Sequence, residues 1–157
     1  MSLVRILVDG YSLLHSWEAL APGKPRHSSA ARDELVHILT QYQDASGTPV
    51  TIFFDGTGSP KHVPKDESRK GTVEVLFSGA GQTADDMIER AAHRFQPFGS
   101  VLAVTNDSAE RDTVISLGGH ASSCENFIRM VETELAELAE AVKRHNRKEQ
   151  NRFRKVK

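Results

Sequence analysis

Largely apolar runs that end abruptly in an acid and a glycine recur along this chain. Residues 3–8 and 50–54 are two such runs, and they are followed by Asp9 and Asp55, each with a glycine after it. Runs of Val, Ile, Leu and Phe bounded by turn signals are typical of strands buried on both faces. The pattern therefore predicts two buried strands, each of which delivers a carboxylate where it leaves the core.

Three further strands and four helices follow from the same distribution of apolar and turn residues. We predict strands over residues 73–77, 101–104 and 121–123, and helices over residues 28–45, 84–95, 108–117 and 125–144. Strands that alternate with helices need right-handed crossovers, which place helices on both faces of a mostly parallel sheet. The predicted fold class is α/β, a three-layer α/β/α sandwich, with loops over residues 13–27 and 56–71.

Four acids are predicted to meet at one edge of this sheet. Asp107 follows the fourth strand, and the carboxyl ends of parallel strands share the edge where ligands bind in open α/β sheets. A helical projection at about 100° per residue puts Asp85 beside the apolar stripe of its helix and turns Asp86 outward, where it would pair with Arg90. Purely structural roles are the open alternatives to ligand binding for two of these acids. Asp9 would start a turn, and the negative charge of Asp85 would be stabilised by its position at a helix N-terminus.

Carboxylates gathered at one edge cannot all stay ionised unless a positive charge compensates them. Oxygen ligands of this kind suit Mg²⁺ or Mn²⁺, whereas the seven His residues and the single Cys show no zinc spacing. A divalent cation at an open sheet edge polarises a phosphodiester oxygen and lowers the pKa of an attacking water. The acids therefore indicate metal-assisted phosphoryl chemistry.

Four short motifs resemble, in order and spacing, those of the YacP-like NYN domains, a branch of the PIN-like nucleases. They are VDGYS at residues 8–12, FDG at 54–56, TADD at 83–86 and TNDS at 105–108. The resemblance covers most of the chain, from the first strand to about residue 130. It implies a metal-dependent endoribonuclease with a PIN-like fold. The implied metal-binding and catalytic acids are Asp9, Asp85 and Asp107, with Asp55 at the rim of the same site.

The chain departs from the family pattern at two points. The first motif ends in Ser12, where the family has Asn, and a hydroxyl offers fewer hydrogen bonds than an amide. Many PIN-like enzymes also have a further acid just beyond the fourth strand, where Glu110 or Asp112 would have to serve. The site candidates are completed by Asp86 as an additional acid and by the backbone and loop positions Gly10, Ser12 and Asn106.

The loop after the second strand is rich in cations that would grip the phosphates of RNA. They are Lys61, Lys65, Arg69 and Lys70. Such contacts are independent of sequence, and a solvated loop is the alternative because two acids in the loop partly cancel this charge. Tyr11 and Trp17 would either stack on unpaired bases of single-stranded RNA or pack in the core.

The net charge of −1 conceals an asymmetry between the end of the chain and the rest. From residue 143 onward there are eight Lys or Arg and one acid, so this segment carries +7 and the remainder −8. We interpret the chain as one nuclease-like domain over residues 1–145 and a basic tail over 146–157. The tail would contact RNA or the ribosome, or it would be a solvated helix end.

The length of 157 residues suits one domain with a sizeable core. No apolar run is long enough to span a membrane, and a strand begins too early to leave room for a signal peptide. The single cysteine, Cys124, has no partner for a disulfide and is expected to pack in the core. We therefore expect a cytoplasmic protein with no membrane partner.

Three function classes follow from these observations. The leading prediction is a metal-dependent RNA endonuclease that acts on single-stranded RNA or mRNA. The alternative is a non-catalytic RNA- or ribosome-binding module on a decayed nuclease scaffold, which Ser12 and the unassigned further acid favour. A phosphoacceptor receiver domain is disfavoured, because Asp9 is followed by glycine and no Lys lies near Ala121.

Overall fold

The computed structural model describes residues 3–56 and 71–155 of the chain. Within them, a five-stranded sheet has the order β3-β2-β1-β4-β5, and every neighbouring pair of strands is parallel. The strands are β1 (Leu3–Asp9), β2 (Val50–Phe54), β3 (Glu74–Phe77), β4 (Ser100–Val104) and β5 (His120–Ser122). The helices are α1 (Gly10–Ser16), α2 (Ser29–Ser46), α3 (Ala84–Phe95), α4 (Ser108–Ser116) and α5 (Cys124–Lys155).

Helices cover both faces of the sheet. Strand residues alternate between faces, so Ile6 and Val8 pack against one helical layer and Leu7 packs against the other. The first layer contains α1, α2 and α5, with Phe127 fully buried in it, and the second contains α3 and α4 around Ile88. The predicted α/β/α sandwich is confirmed, and all five predicted strands are present.

The loop predicted over residues 13–27 is wrong in its first part, because a helix follows β1 directly. The Asp9 side chain accepts the N–H of Ser12 and caps this helix, which has only seven residues. A helix of two turns is too short to show a convincing apolar periodicity in the sequence. Trp17 lies just beyond its end and is 4% exposed, so it packs in the core.

Gly10 is required by the close approach of α1 to β2. A Cβ atom at this position would overlap the ring of Phe54, which is itself fully buried. The glycine after Asp9 therefore lets the first turn of α1 lie against the core, which holds the Asp9 carboxylate at the sheet edge.

The last helix, α5, is longer than predicted and has 32 residues. Phe127 and Val131 are fully buried near its start, whereas its later turns are exposed. The helix continues as far as Lys155 through the segment predicted as a basic tail. Neither α5 nor any other described helix has an apolar stretch that could cross a bilayer.

Candidate functional site

The acids predicted from three strand ends and one helix lie together at the carboxyl edge of the sheet. Asp9 ends β1, Asp55 follows β2, Asp107 precedes α4, and Asp85 is in the first turn of α3. Burial first, and then the charges of Asp9, Asp107 and Asp55, raise the pKa of Asp85 to about 6. The four acids therefore share one edge of the sheet, as the topology predicts, and their charges act on Asp85.

The half-buried carboxylate of Asp9 both caps α1 and faces the other acids. The backbone N–H and the hydroxyl of Ser12 donate to it over 3.4 and 3.0 Å. Burial raises the pKa of Asp9, the two Ser12 hydrogen bonds lower it, and the charges of Asp55 and Asp107 raise it again. Ser12 therefore orients Asp9, which is a role that a hydroxyl can perform in place of the amide in the family motif.

Asp55 and Asp107 hold the helices that carry other acids of the cluster. One Asp55 oxygen accepts the N–H of Ala84 at 2.7 Å, which ties the end of β2 to the first residue of α3. One Asp107 oxygen accepts the N–H groups of Ala109 and Glu110 at 3.0 and 3.3 Å and caps α4. Both aspartates are exposed, so a ligand can reach them from solvent.

Glu110 adds a buried carboxyl group to the cluster. It is only 4% exposed, and its Oε1 atom has no hydrogen-bond partner. Burial, a hydrogen bond with the Glu89 carboxyl and the charge of Asp85 raise the pKa of Glu110 to about 8. Of the two candidates for the further acid, the structure brings Glu110 to the site, whereas Asp112 lies on the exposed side of α4.

The acids of α3 lie on two different sides of the helix. Glu89 is not among the site residues predicted from the sequence. Glu89 stands four residues after Asp85, and this spacing puts the two acids on one side of α3. Asp86 points outward as predicted, but its predicted pairing with Arg90 is wrong. Its carboxylate accepts the N–H of Thr83 at 3.2 Å in a capping box, because an acid at this position can satisfy a free N–H group of the first turn.

In the described part of the chain, the ion pairs are Lys143–Glu140 and Arg152–Glu149, both on α5, so none neutralises the acidic cluster. Within residues 3–56 and 71–155, no three His, Cys, Asp or Glu side chains are arranged so that they could hold a metal ion. The donor chemistry nevertheless fits a hard divalent cation. All the donors are carboxylate oxygens, and a buried Glu110 oxygen lacks a partner.

Asn106, the residue before Asp107, ties three elements together. Its Nδ2 donates to the Ser16 hydroxyl at 2.8 Å and to Glu125 at 3.4 Å, and its Oδ1 accepts the N–H of Cys124 at 2.8 Å. The loop after β4 is thereby fixed to the end of α1 and the start of α5. Cys124 is fully buried and burial raises its pKa to about 12, which agrees with the predicted packing role.

Replacing Asn106 should loosen this junction. We expect Asn106→Ala to lower the free energy of unfolding by about 1–2 kcal/mol, because the Cys124 N–H loses its acceptor. Asn106→Asp should keep that acceptor and can accept a hydrogen bond from the Ser16 hydroxyl, but it loses the donor to Glu125 and places a second carboxylate beside it. Urea denaturation of the three proteins at neutral pH measures the difference, and an Asn106→Ala variant as stable as the parent would contradict the proposed junction.

A row of rings begins in the core beside Asp9 and ends at the surface. The Tyr11 ring lies 4.9 Å from Phe54 and 4.3 Å from His27, and His27 lies 5.1 Å from His15. We call these four residues the aromatic row. Arg32 donates to the Tyr11 hydroxyl at 3.2 Å. Tyr11 is half-buried and the two histidines are exposed. The sequence did not identify these histidines, because the approach of His27 to Tyr11 and His15 depends on how the loop before α2 folds back.

The predicted RNA-binding cations Lys61, Lys65, Arg69 and Lys70 lie outside the residues that the structure describes. The basic segment of α5, residues 143–155, is helical, and residues 143–154 are largely exposed.

Comparisons with known proteins agree with this architecture. The model of the YacP-like NYN domain family matches residues 6–156. The uncharacterized protein YacP of Bacillus subtilis is 32% identical over 132 residues, which are 82% of this chain and 75% of that protein. The crystal structure of Rae1 (YacP) from Bacillus subtilis has a TM-score of 0.71 at 26% identity, covering 92% of this chain and 81% of that one. A variant of the same protein gives a TM-score of 0.69 over 89% and 81% of the two chains.

Proposed function

The chain belongs to the family of YacP-like NYN domains, and on that premise we propose that it is a metal-dependent endoribonuclease. Family membership supports a nuclease-type function related to RNA. The observation that carries the finer proposal is the group of acids at the carboxyl edge of the sheet, which form no ion pair with any residue that the structure describes. Three of them raise the pKa of the fourth, Asp85, and a divalent cation would relieve this repulsion.

We assign Asp9, Asp85 and Asp107 as the residues that would hold Mg²⁺ or Mn²⁺, with Asp55 at the rim and Glu110 as the further acid. Bound there, the cation would polarise the scissile phosphodiester and lower the pKa of the attacking water. Because these acids do not form a finished coordination group, their side chains would have to adjust when the cation binds.

The neighbouring hydrogen bonds would keep these acids in place. Ser12 donates to Asp9, and Asp55 accepts the Ala84 N–H that begins α3. Carboxylates that are already oriented lose less freedom when a cation binds, which is the usual role of the groups behind a metal ligand. We therefore assign Ser12 as a positioning residue of the proposed site.

RNA would reach the acids across the aromatic row, and the basic segment of α5 would contact a part of the RNA farther from the acids. Tyr11 follows Asp9 by two residues, and the exposed His27 and His15 rings continue from it toward solvent. Exposed rings stack on unpaired bases without strong sequence preference. The basic segment would contact phosphates of an mRNA or of ribosomal RNA, and we propose that the protein acts in the cytoplasm.

Cleavage of a labelled single-stranded RNA by the purified protein tests this proposal. We expect products with Mn²⁺ or Mg²⁺ and none after EDTA is added. His27→Ala should weaken RNA binding while the intact acidic cluster still supports cleavage at saturating RNA, since the histidine is not one of the proposed metal ligands. The protein is not a nuclease of this kind if RNA binds equally well with and without EDTA and no products form with either metal.

That last outcome describes the second candidate function, a non-catalytic RNA- or ribosome-binding module. The observation in its favour is that the acids of the described residues are not arranged to hold a metal ion. Such a module would keep the aromatic row and the basic segment and would bind RNA without any need for a divalent cation.

A further inference from the structure

A cavity of about 290 Å³ lies beside α3, on the side away from the acids. Residues three, four and seven apart share one side of a helix. Asp85 and Glu89 therefore lie on one side of α3, and Met87, Arg90 and Arg94 lie on the other, where they line the cavity. The opposite wall is the sheet, so this cavity is separate from the acidic site.

The floor of the cavity is apolar. Leu7 and Phe53 contribute to it from β1 and β2, and Leu76 contributes from the edge strand β3 and is 38% exposed. Met87 and Phe95 of α3 form the facing wall. The Arg5 guanidinium lies 5.0 Å from the centre of the Phe95 ring, so the Met87 thioether is the group of this wall that adapts to a planar ring in the cavity.

Three guanidinium groups surround this floor. Arg5 donates to the Thr51 hydroxyl at 2.9 Å, and its Nε is buried without a hydrogen-bond partner. Within the described chain, Arg90 and Arg94 form no ion pair. Glu74 is the one acid among the described lining residues, and it accepts the hydroxyl of Thr51 at 3.0 Å. The cavity therefore keeps a net positive charge.

We propose that this cavity binds a nucleotide, with the phosphate at the arginines and the base on the apolar floor. The planar fork of Arg matches the geometry of phosphate oxygens, and the net positive charge complements a phosphate dianion. The volume is near the lower end for small-molecule sites, which suits one nucleotide. That nucleotide is either a free nucleoside monophosphate or one residue of an RNA strand, and the proposal does not rest on nuclease activity.

Isothermal titration calorimetry with GMP, guanosine and inorganic phosphate tests this proposal. We expect GMP to bind at least tenfold more tightly than either fragment. The double variant Arg90→Ala/Arg94→Ala should bind GMP at least tenfold more weakly, whereas the control Arg129→Ala, an exposed arginine of α5, should bind it normally. Circular dichroism should show all three proteins equally folded, because Arg90 and Arg94 form no ion pair in the described chain.

A short 5′-phosphorylated RNA in EDTA distinguishes the two sources of the nucleotide. If the double variant loses affinity for this RNA while GMP binds neither protein, the site belongs to an RNA strand; loss of GMP affinity assigns it to the free nucleotide. Equal affinity of the parent and the double variant for both ligands overturns the proposal, as does measurable GMP binding that is no tighter than phosphate binding. Asp9→Asn should bind GMP normally, so a failed cleavage assay does not affect this result.

Discussion

Asp9→Asn is expected to reduce Mn²⁺-dependent RNA cleavage by roughly a hundredfold or more, because it removes one charged oxygen ligand from the proposed metal site. The substitution keeps the size and shape of the side chain. Initial rates on a labelled single-stranded RNA, measured at saturating Mn²⁺ and with equal protein concentrations, give the ratio directly.

The choice of Asn rather than Ala separates chemistry from folding. Asp9 caps α1 by accepting the N–H of Ser12, and Asn is about as good an N-cap as Asp. Asp9→Asn should therefore unfold at nearly the same urea concentration as the parent. Asp9→Ala would lose the cap and about 1 kcal/mol of stability, so its lower activity would have two causes.

Asp86→Asn is the matched control for this experiment. Asp86 is in the same helix as Asp85, but its exposed carboxylate accepts the N–H of Thr83 away from the cluster. An Asn can accept the same bond, so this variant should cleave RNA as fast as the parent. Cleavage by Asp9→Asn at the rate of the control would show that Asp9 does not hold a catalytic metal.

The convergence of the acids was predictable because it depends on topology alone. Parallel strands deliver their carboxyl ends to one edge, whatever the details of packing, and Asp9 and Asp55 stand directly at such ends. The place of Asp85 followed from the apolar stripe of α3. These inferences need only the period of each element and the sense of the crossovers.

The features that sequence missed depend on contacts between distant segments or on very short elements. The seven-residue α1 is stabilised by the Asp9 cap and by burial, neither of which gives a periodic pattern. His27 reaches Tyr11 and His15 only because the intervening loop folds back, as Arg26 donates to five backbone carbonyl groups that include those of Leu20 and Ala21. The extension of α5 was missed because it continues beyond the apolar stripe, and that stripe is the signal from which the helix was predicted.

Glu110→Gln is expected to stabilise the protein at high pH. In the folded protein the pKa of Glu110 is raised from its ordinary value of 4.5 to about 8. Between these two values the folded state holds a proton that the unfolded chain has released, so the free energy of unfolding falls as the pH rises. Above about pH 8 the loss is complete, because the buried carboxylate must then carry its charge in the folded state.

Gln resembles the protonated acid and does not titrate, so its advantage over the parent should be small below pH 4.5 and largest above pH 8. One unit of pKa corresponds to about 1.4 kcal/mol, and we expect a gain of roughly 1–3 kcal/mol at pH 9. Urea denaturation of both proteins from pH 4 to pH 9 measures it. If the free energy of unfolding changed with pH in the same way in both proteins, Glu110 would not hold this proton.

Mn²⁺ provides an independent measurement on the same pair of proteins. If Glu110 belongs to the proposed metal site, Mn²⁺ at pH 8 should raise the Tm of the parent, because a bound cation stabilises the ionised acids of the folded state. The increase in Tm should be smaller for Glu110→Gln, which lacks that charge. For Asp86→Asn it should equal the increase seen in the parent. An equal increase in Tm in all three proteins would show that the cation binds away from Glu110. The dependence of stability on pH would still test whether Glu110 holds the buried proton.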